Sequence, residues 1–238
     1  MSRSVLGLDT HDFSFNLDGL EHAIVAAVQS AIEIIMPNIL LDNNFQTRNG
    51  YGQFRWNAII TQLHETCDQL GWVDFNTCSR GAWKTPVLFH PASGYLVTFM
   101  TEETFKTTQH RRDKGRHYLC GVASLNSNVT AEEDQLKLEL PGVSTSTNTW
   151  VAKSREDFIN SVNATDNDVK GHILVLFEAH ADKLLKIRAV RITPTLEIST
   201  EAEDWTRYIG IPYNTHQKIE PQNNHIDNED EQFVELID

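Results

Sequence analysis

The sequence predicts an α+β fold. Helical periodicity dominates the first seventy residues, two pairs of apolar strands are joined by short turns, and no βαβ alternation or internal repeat occurs. The chain has 238 residues, of which 40% are hydrophobic, and this is enough for one substantial core. We expect a single α+β domain over residues 1–213, with a soft boundary at the Ser/Thr-rich residues 141–150.

N-terminal helices form the first part of this prediction. Apolar residues recur at helical spacing over 20–35 after Asn16 or Asp18 as an N-cap, and Pro37 is expected to end this helix. A second helix is expected over 53–70, closed by Gly71 in the left-handed conformation.

A central β-hairpin follows these helices. It is predicted from residues 85–89 and 95–100, which are joined by a Pro- and Gly-containing turn. The side chains expected on one face of this hairpin are Val87, Phe89, Tyr95, Val97 and Phe99.

The C-terminal half predicts a second hairpin with flanking helices. Its strands are expected at 173–177 and 184–192, preceded by a helix that Ser154 caps. Thr200 with Glu203 has the form of a capping box and predicts a further helix that carries Trp205.

Positive charge is concentrated in the middle of an acidic chain. The formal net charge is −13, yet residues 48–117 carry nine Lys or Arg against six acids. We call five of these cations the basic segment and expect them on a basic helix after a Thr101 N-cap: Lys106, Arg111, Arg112, Lys114 and Arg116. Five charges cannot be buried without partners, so we expect an exposed surface that binds a polyanion. Four aromatic residues lie near the basic segment in sequence and could stack on bases, although such rings are usually found in the hydrophobic core. They are Trp56, Trp72, Trp83 and Tyr95.

Motifs for several common reactions are absent from the sequence. It has no Gly-rich phosphate loop, H-E-x-x-H, C-x-x-C or G-x-S-x-G, which argues against P-loop, zincin and serine-hydrolase chemistry.

The odd number of cysteines, three, predicts reduced, buried thiols in a cytoplasmic protein. The interrupted apolar run at 20–35 predicts no membrane span, and no metal or cofactor is expected.

Two weaker nuclease patterns remain. Arg112 and His117 have the Arg-x4-His spacing of HEPN ribonucleases, in which Arg holds the phosphate and His acts in acid–base cleavage. Eleven Arg and ten His yield about one such spacing by chance. A metal-dependent PD-(D/E)xK site would need an acid followed two residues later by a lysine. Two residues after Glu178 the chain has His180 instead, and Gln135-Leu-Lys137 would be a variant form of the motif. His172 and His180 are expected to end strands rather than bind metal.

The last part of the chain is acidic and polar. Residues 214–238 carry one Lys against seven acids, with few apolar residues before the short apolar stretch at 233–237. This composition buries too little surface to order itself, so it predicts a disordered acidic tail.

Several segments resemble an uncharacterised bacterial family associated with defence, phage or toxin–antitoxin loci. The resemblance covers about residues 1–130, and the segments are Gly50-Tyr-Gly-Gln-Phe-Arg-Trp-Asn57, Arg80-Gly-Ala-Trp-Lys84, the stretch 95–105 and His117-Tyr118. It implies a role in prokaryotic regulation or conflict and assigns no catalytic residue.

These observations favour a soluble, cytoplasmic, bacterial regulatory protein of antitoxin or defence type. It is expected to act through contact with a protein partner encoded nearby, and its basic surface is expected to bind a polyanion such as nucleic acid. The alternative is a toxin-like ribonuclease or other nucleic-acid-cleaving enzyme centred on Arg112 and His117. Whether the protein is an enzyme, and whether it forms homo-oligomers, stays open at this point.

Overall fold

A six-stranded mixed β-sheet forms the centre of the protein. The computed structural model describes residues 13–43, 50–80, 83–126 and 145–211. The strands lie in chain order across the sheet. They are β1 (Asp74–Arg80), β2 (Trp83–His90), β3 (Tyr95–Thr101), β4 (Gly171–His180), β5 (Lys183–Ile192) and β6 (Ile198–Asp204). Neighbours are antiparallel except β3 and β4, which are parallel.

Helices cover both faces of the sheet. They are α1 (Leu20–Ser30), α2 (Met36–Asn43), α3 (Tyr51–Leu70), α4 (Glu102–His110), α5 (Tyr118–Ala123) and α6 (Thr145–Ser161). The first three pack on one face, and α4–α6, which connect the parallel strands, pack on the other. The result is a compact three-layer α+β fold, as the sequence predicts.

The first helix does not end at Pro37. A π-helical turn at Ala31–Ile35 links α1 to α2, and the helical path continues to Asn43. Proline removes an N–H donor and crowds the carbonyl group four residues earlier. The wider π turn directly before Pro37 gives that carbonyl room, so the helix passes the proline without ending.

This continuous helical segment, Leu20–Asn43, is long and apolar enough to cross a membrane, with a mean hydropathy of 1.8. In the fold one face of this segment packs into the core, mainly through α1. Leu20, Ile24 and Ile32 are at most 1% exposed and pack in one cluster with Val175 of β4.

The central hairpin forms as predicted, but with a different distribution of side chains. Leu88 pairs with Val97 and Phe89 pairs with Leu96. Leu88 and Val97 therefore lie in the core under α1–α3, whereas Val87 and Phe89 lie in a cluster on the opposite face. Both faces of this sheet are buried, so apolar residues occupy both, and alternation alone cannot define the register.

Three predicted N-caps are wrong. Helix α1 begins directly after Gly19, which has a left-handed conformation, so neither Asn16 nor Asp18 is its N-cap. Ser154 lies inside α6, where it is 1% exposed, because the helix begins at Thr145. Thr200 and Glu203 belong to strand β6 rather than to a helix. The Glu203 carboxylate accepts the backbone N–H of Phe15 at 3.2 Å, so a long-range contact replaces the predicted local cap.

Other predictions lie wholly or partly outside the described residues. The short strand expected near 136–140 and the acidic tail at 214–238 fall there. The soft boundary at 141–150 is described from Thr145 onward, where the chain is helical.

Candidate functional site

A cleft of about 940 Å³ opens beside the carboxyl ends of the parallel strands β3 and β4. Its floor includes Phe99 and Met100 from β3 and Phe177 from β4. Its walls come from the first turns of α3 and α4, the start of β2, the residues before α5, and α6. Open sheets with parallel strands commonly bind ligands outside the carboxyl ends of those strands.

Four cations from four separate elements line this cleft. They are Arg55 of α3, Lys84 of β2, Arg116 before α5 and Lys153 of α6. None forms an ion pair with a carboxylate in the part of the chain that the structure describes. Arg55 instead lies over the ring of Tyr51, with its guanidinium carbon 5.6 Å from the ring centroid. Two acids, Glu103 and Asp157, also line the cleft, so cations outnumber acids there.

Arginines outside the cleft show the opposite behaviour. Arg188 of β5 holds the buried Glu102 carboxylate through two hydrogen bonds of 2.5 and 2.9 Å. Burial alone would raise the pKa of Glu102, but the hydrogen bonds and charge of Arg188 outweigh burial and lower it. Glu102 is the first residue of α4, so this ion pair attaches α4 to the sheet. The next two residues of the helix line the cleft.

Four aromatic side chains surround the cations, and two of them are fixed by the fold. The Trp56 indole donates a hydrogen bond to the carbonyl oxygen of Lys84 at 2.7 Å, and its ring lies parallel to Phe177 with centroids 6.3 Å apart. Tyr118 stacks on Phe158 at 5.4 Å. The other two, Trp83 and Trp150, are 54% and 44% exposed.

His117 lines the same cleft and caps helix α5. Its Nδ1 accepts the backbone N–H of Leu119 at 3.3 Å, and its ring lies 4.5 Å from that of Tyr118. Acceptance at Nδ1 places the proton of the neutral imidazole on Nε2, which is a hydrogen-bond donor.

The basic segment is divided between two places. Helix α4 begins at the predicted Thr101 cap, whose hydroxyl accepts the N–H of Thr104 at 3.1 Å, but it ends at His110. The predicted helix is therefore present, but its extent is wrong: Lys106 alone of the five cations lies in α4, and the rest lie in a turn and a 3₁₀ segment that contains Gly115.

The exposure of the basic segment is nearly complete. Lys106, Arg111, Arg112 and Arg116 are exposed, while Lys114 is half-buried. Only Arg116 lines the cleft. Arg111 holds Asp113 with two hydrogen bonds of 3.0 Å, which lower the pKa of that carboxyl.

The two nuclease patterns are not brought together as intact sites. His117 lines the cleft but Arg112 does not, and the mixed sheet differs from an all-helical HEPN domain. Glu178 is exposed on β4 opposite Lys186, and residues 135–137 lie outside the described residues. Over the described ranges, no group of three or more His, Cys, Asp or Glu could hold a metal ion.

The remaining histidines and cysteines have structural positions. His172, near the start of β4, is fully buried and its Nε2 lies 2.8 Å from the Thr98 hydroxyl. His180 ends the same strand and is exposed. All three cysteines are buried and none forms a disulfide, and burial raises the pKa of Cys67 to about 12.

Sequence reasoning missed half of the site. Trp56 and Trp83 were among the predicted stacking residues, but Trp72 and Tyr95 do not line the cleft. Arg55 and Lys84 fall within the positively charged residues 48–117 but were not singled out there. Lys153 and Trp150 had no local signal, because isolated residues on unrelated elements form no pattern until the fold brings them together.

One family model matches almost the whole chain. It is described as a family of unknown function (DUF5986) and matches residues 13–237, well beyond the 130 residues of the resemblance seen in the sequence. No curated protein and no solved structure matches the chain. Because the match spans far more than half of the chain, the protein belongs to DUF5986, a family of unknown function.

Proposed function

We propose that this protein binds nucleic acid, with the cations of the cleft contacting the phosphates. The observation that carries this proposal is the gathering of Arg55, Lys84, Arg116 and Lys153 around one cleft, without ion-pair partners among the described residues, in a chain of net charge −13. Cations that line one cleft repel one another, and phosphate groups would relieve that repulsion.

The spread of the cations favours an extended polyanion over a single small anion. The four side chains come from α3, β2, the 3₁₀ segment before α5, and α6, so they surround the cleft rather than converge from one loop. Proteins that bind nucleic acid through the backbone combine such a cationic groove with aromatic rings. The exposed part of the basic segment would extend the same positive surface beyond Arg116.

A charge reversal inside the cleft tests this proposal. The double variant K84E/K153E should raise the Kd for a short labelled RNA or DNA by about tenfold or more, because phosphate contacts become repulsions. Binding is measured by fluorescence anisotropy at two salt concentrations, and the wild-type Kd should rise steeply with salt.

The matched control is K170E. Lys170 is exposed directly before β4, whereas the cleft lies near the other end of that strand. It makes a charge change of the same kind outside the cleft, so its Kd should stay close to that of the wild type. If wild-type protein binds neither oligonucleotide at low salt, or if K170E weakens binding as much as K84E or K153E alone, the proposal fails.

A regulatory role remains part of the proposal. We place the protein in the bacterial cytoplasm, acting with a partner protein in an antitoxin- or defence-type system; its support is the acidic composition of residues 214–238, which suits a basic partner. Co-expression with the neighbouring gene should yield a stable complex.

The nuclease alternative, centred on Arg112 and His117, predicts instead that bound RNA is cleaved and that H117A stops the cleavage.

A further inference from the structure

Trp83 and Trp150 are large, partly exposed rings that line the cleft. Trp56 and Tyr118 pack against the hydrophobic clusters, but Trp83 and Trp150 belong to none of them. They remain 54% and 44% exposed while lining the same cleft. Exposed apolar surface concentrated in a cleft usually marks a binding site.

Each of these tryptophans lies next to a cation of the cleft. Trp83 directly precedes Lys84 at the start of β2, and Trp150 lies three residues before Lys153 on α6. Residues three apart on a helix share a face. Two separate elements, β2 and α6, therefore each bring one exposed ring and one lysine to the lining of the cleft.

We infer that the cleft selects single-stranded over double-stranded nucleic acid, and that Trp83 and Trp150 select it by stacking on unpaired bases. This inference rests on the proposed function. In a duplex the neighbouring base pairs cover the flat face of each base, so an indole ring can stack only where a base is unstacked or unpaired. The cations, in contrast, contact phosphates of either form.

The cations and the two tryptophan rings should have different effects on binding. Loss of the cations should weaken binding of single-stranded and double-stranded nucleic acid alike, whereas loss of the rings should weaken binding of the single strand alone. An acidic peptide would engage the cations without needing two exposed indoles, so the exposed rings favour a nucleic acid over an acidic protein segment.

The test compares W83L/W150L with W83F/W150F in the full-length chain. Leucine keeps apolar bulk but lacks a flat ring, and phenylalanine keeps a ring. The probes are a labelled single-stranded RNA, its DNA counterpart and a duplex of matched phosphate number, titrated at one salt concentration. Wild-type protein should bind a single strand about tenfold more tightly than the duplex, a preference of the size that base stacking supplies.

The leucine pair should lower single-strand affinity to the level of the duplex and leave duplex affinity unchanged, while the phenylalanine pair keeps most of the preference. The control is W72L, since Trp72 is 37% exposed but packs against His90 away from the cleft. It should bind like the wild type.

The two proposals fail in different ways. Equal wild-type affinity for single strand and duplex, or equal losses for both in the leucine pair, overturns the stacking inference and leaves nucleic-acid binding in place. No binding of any oligonucleotide at low salt overturns both.

Discussion

At the scale of single residues, the clearest physical consequence concerns the buried His172. Burial first, and then the nearby Arg191 charge, lower the pKa of this imidazole to about 3. An unfolded histidine has a pKa near 6.5, so below that pH the unfolded chain takes up a proton that the folded chain excludes. The neutral His172 therefore stabilises the fold above about pH 6.5, and this contribution is lost as the pH falls toward 3.

Replacing this residue should change how stability depends on pH. The wild type should lose up to about 1.4 kcal/mol per pH unit through His172 between pH 6.5 and 5, and H172Q should remove that part of the slope. Urea denaturation at pH 7, 6 and 5 measures it. H180Q, which removes the exposed imidazole at the end of β4, is the control. An H172Q slope equal to that of the wild type would contradict the assignment.

At the scale of elements, the contact between α5 and α6 holds one wall of the cleft. A Cβ added at Gly121 of α5 would lie 2.6 Å from the Ser154 Cβ and 2.7 Å from the Val151 carbonyl oxygen of α6. Real Cβ atoms do not approach so closely, so the two helices can meet at this distance only because Gly121 has no side chain.

G121A should therefore destabilise the protein by roughly 1–3 kcal/mol, the range typical of overpacking. It should also weaken oligonucleotide binding, because α6 carries Trp150 and Lys153. Urea denaturation and anisotropy measure the two effects. At Gly115 an added Cβ meets nothing within 4 Å, so G115A is the matched control and should change stability little. Similar free energies of unfolding for the two variants would show that α5 and α6 are not tightly packed.

At the scale of the whole molecule, a cationic cleft lies in a strongly anionic protein. Residues 214–238 carry seven of the acids against one lysine. Their negative field opposes the approach of any polyanion, and salt screens this repulsion over about 10 Å at 0.1 M. Truncation after residue 213 should therefore tighten oligonucleotide binding several-fold at low salt and much less at high salt.

The truncated chain and a full-length chain with Asn and Gln in place of the seven acids should behave alike, because the effect depends on charge. Binding that weakens on truncation would show that residues 214–238 contribute contacts rather than repulsion.

The local features of this protein follow from short stretches of its sequence. Helical spacing, the Gly71 cap and the Thr101 cap predicted α1, α3 and the start of α4, and two hairpins were found from apolar runs joined by short turns. These features depend on neighbours within a few residues, so they are readable from one chain. The exposure of most of the basic segment followed from the cost of burying charge.

Features that depend on distant contacts become visible in the folded protein alone. The register of the central hairpin follows from helices packed on both faces, and β6 forms because its residues pair with β5. The cleft exists because the α4–α6 connection between two parallel strands brings Arg116 and Lys153 beside Arg55 and Lys84. No local pattern encodes such a meeting, since it arises from packing between elements up to a hundred residues apart.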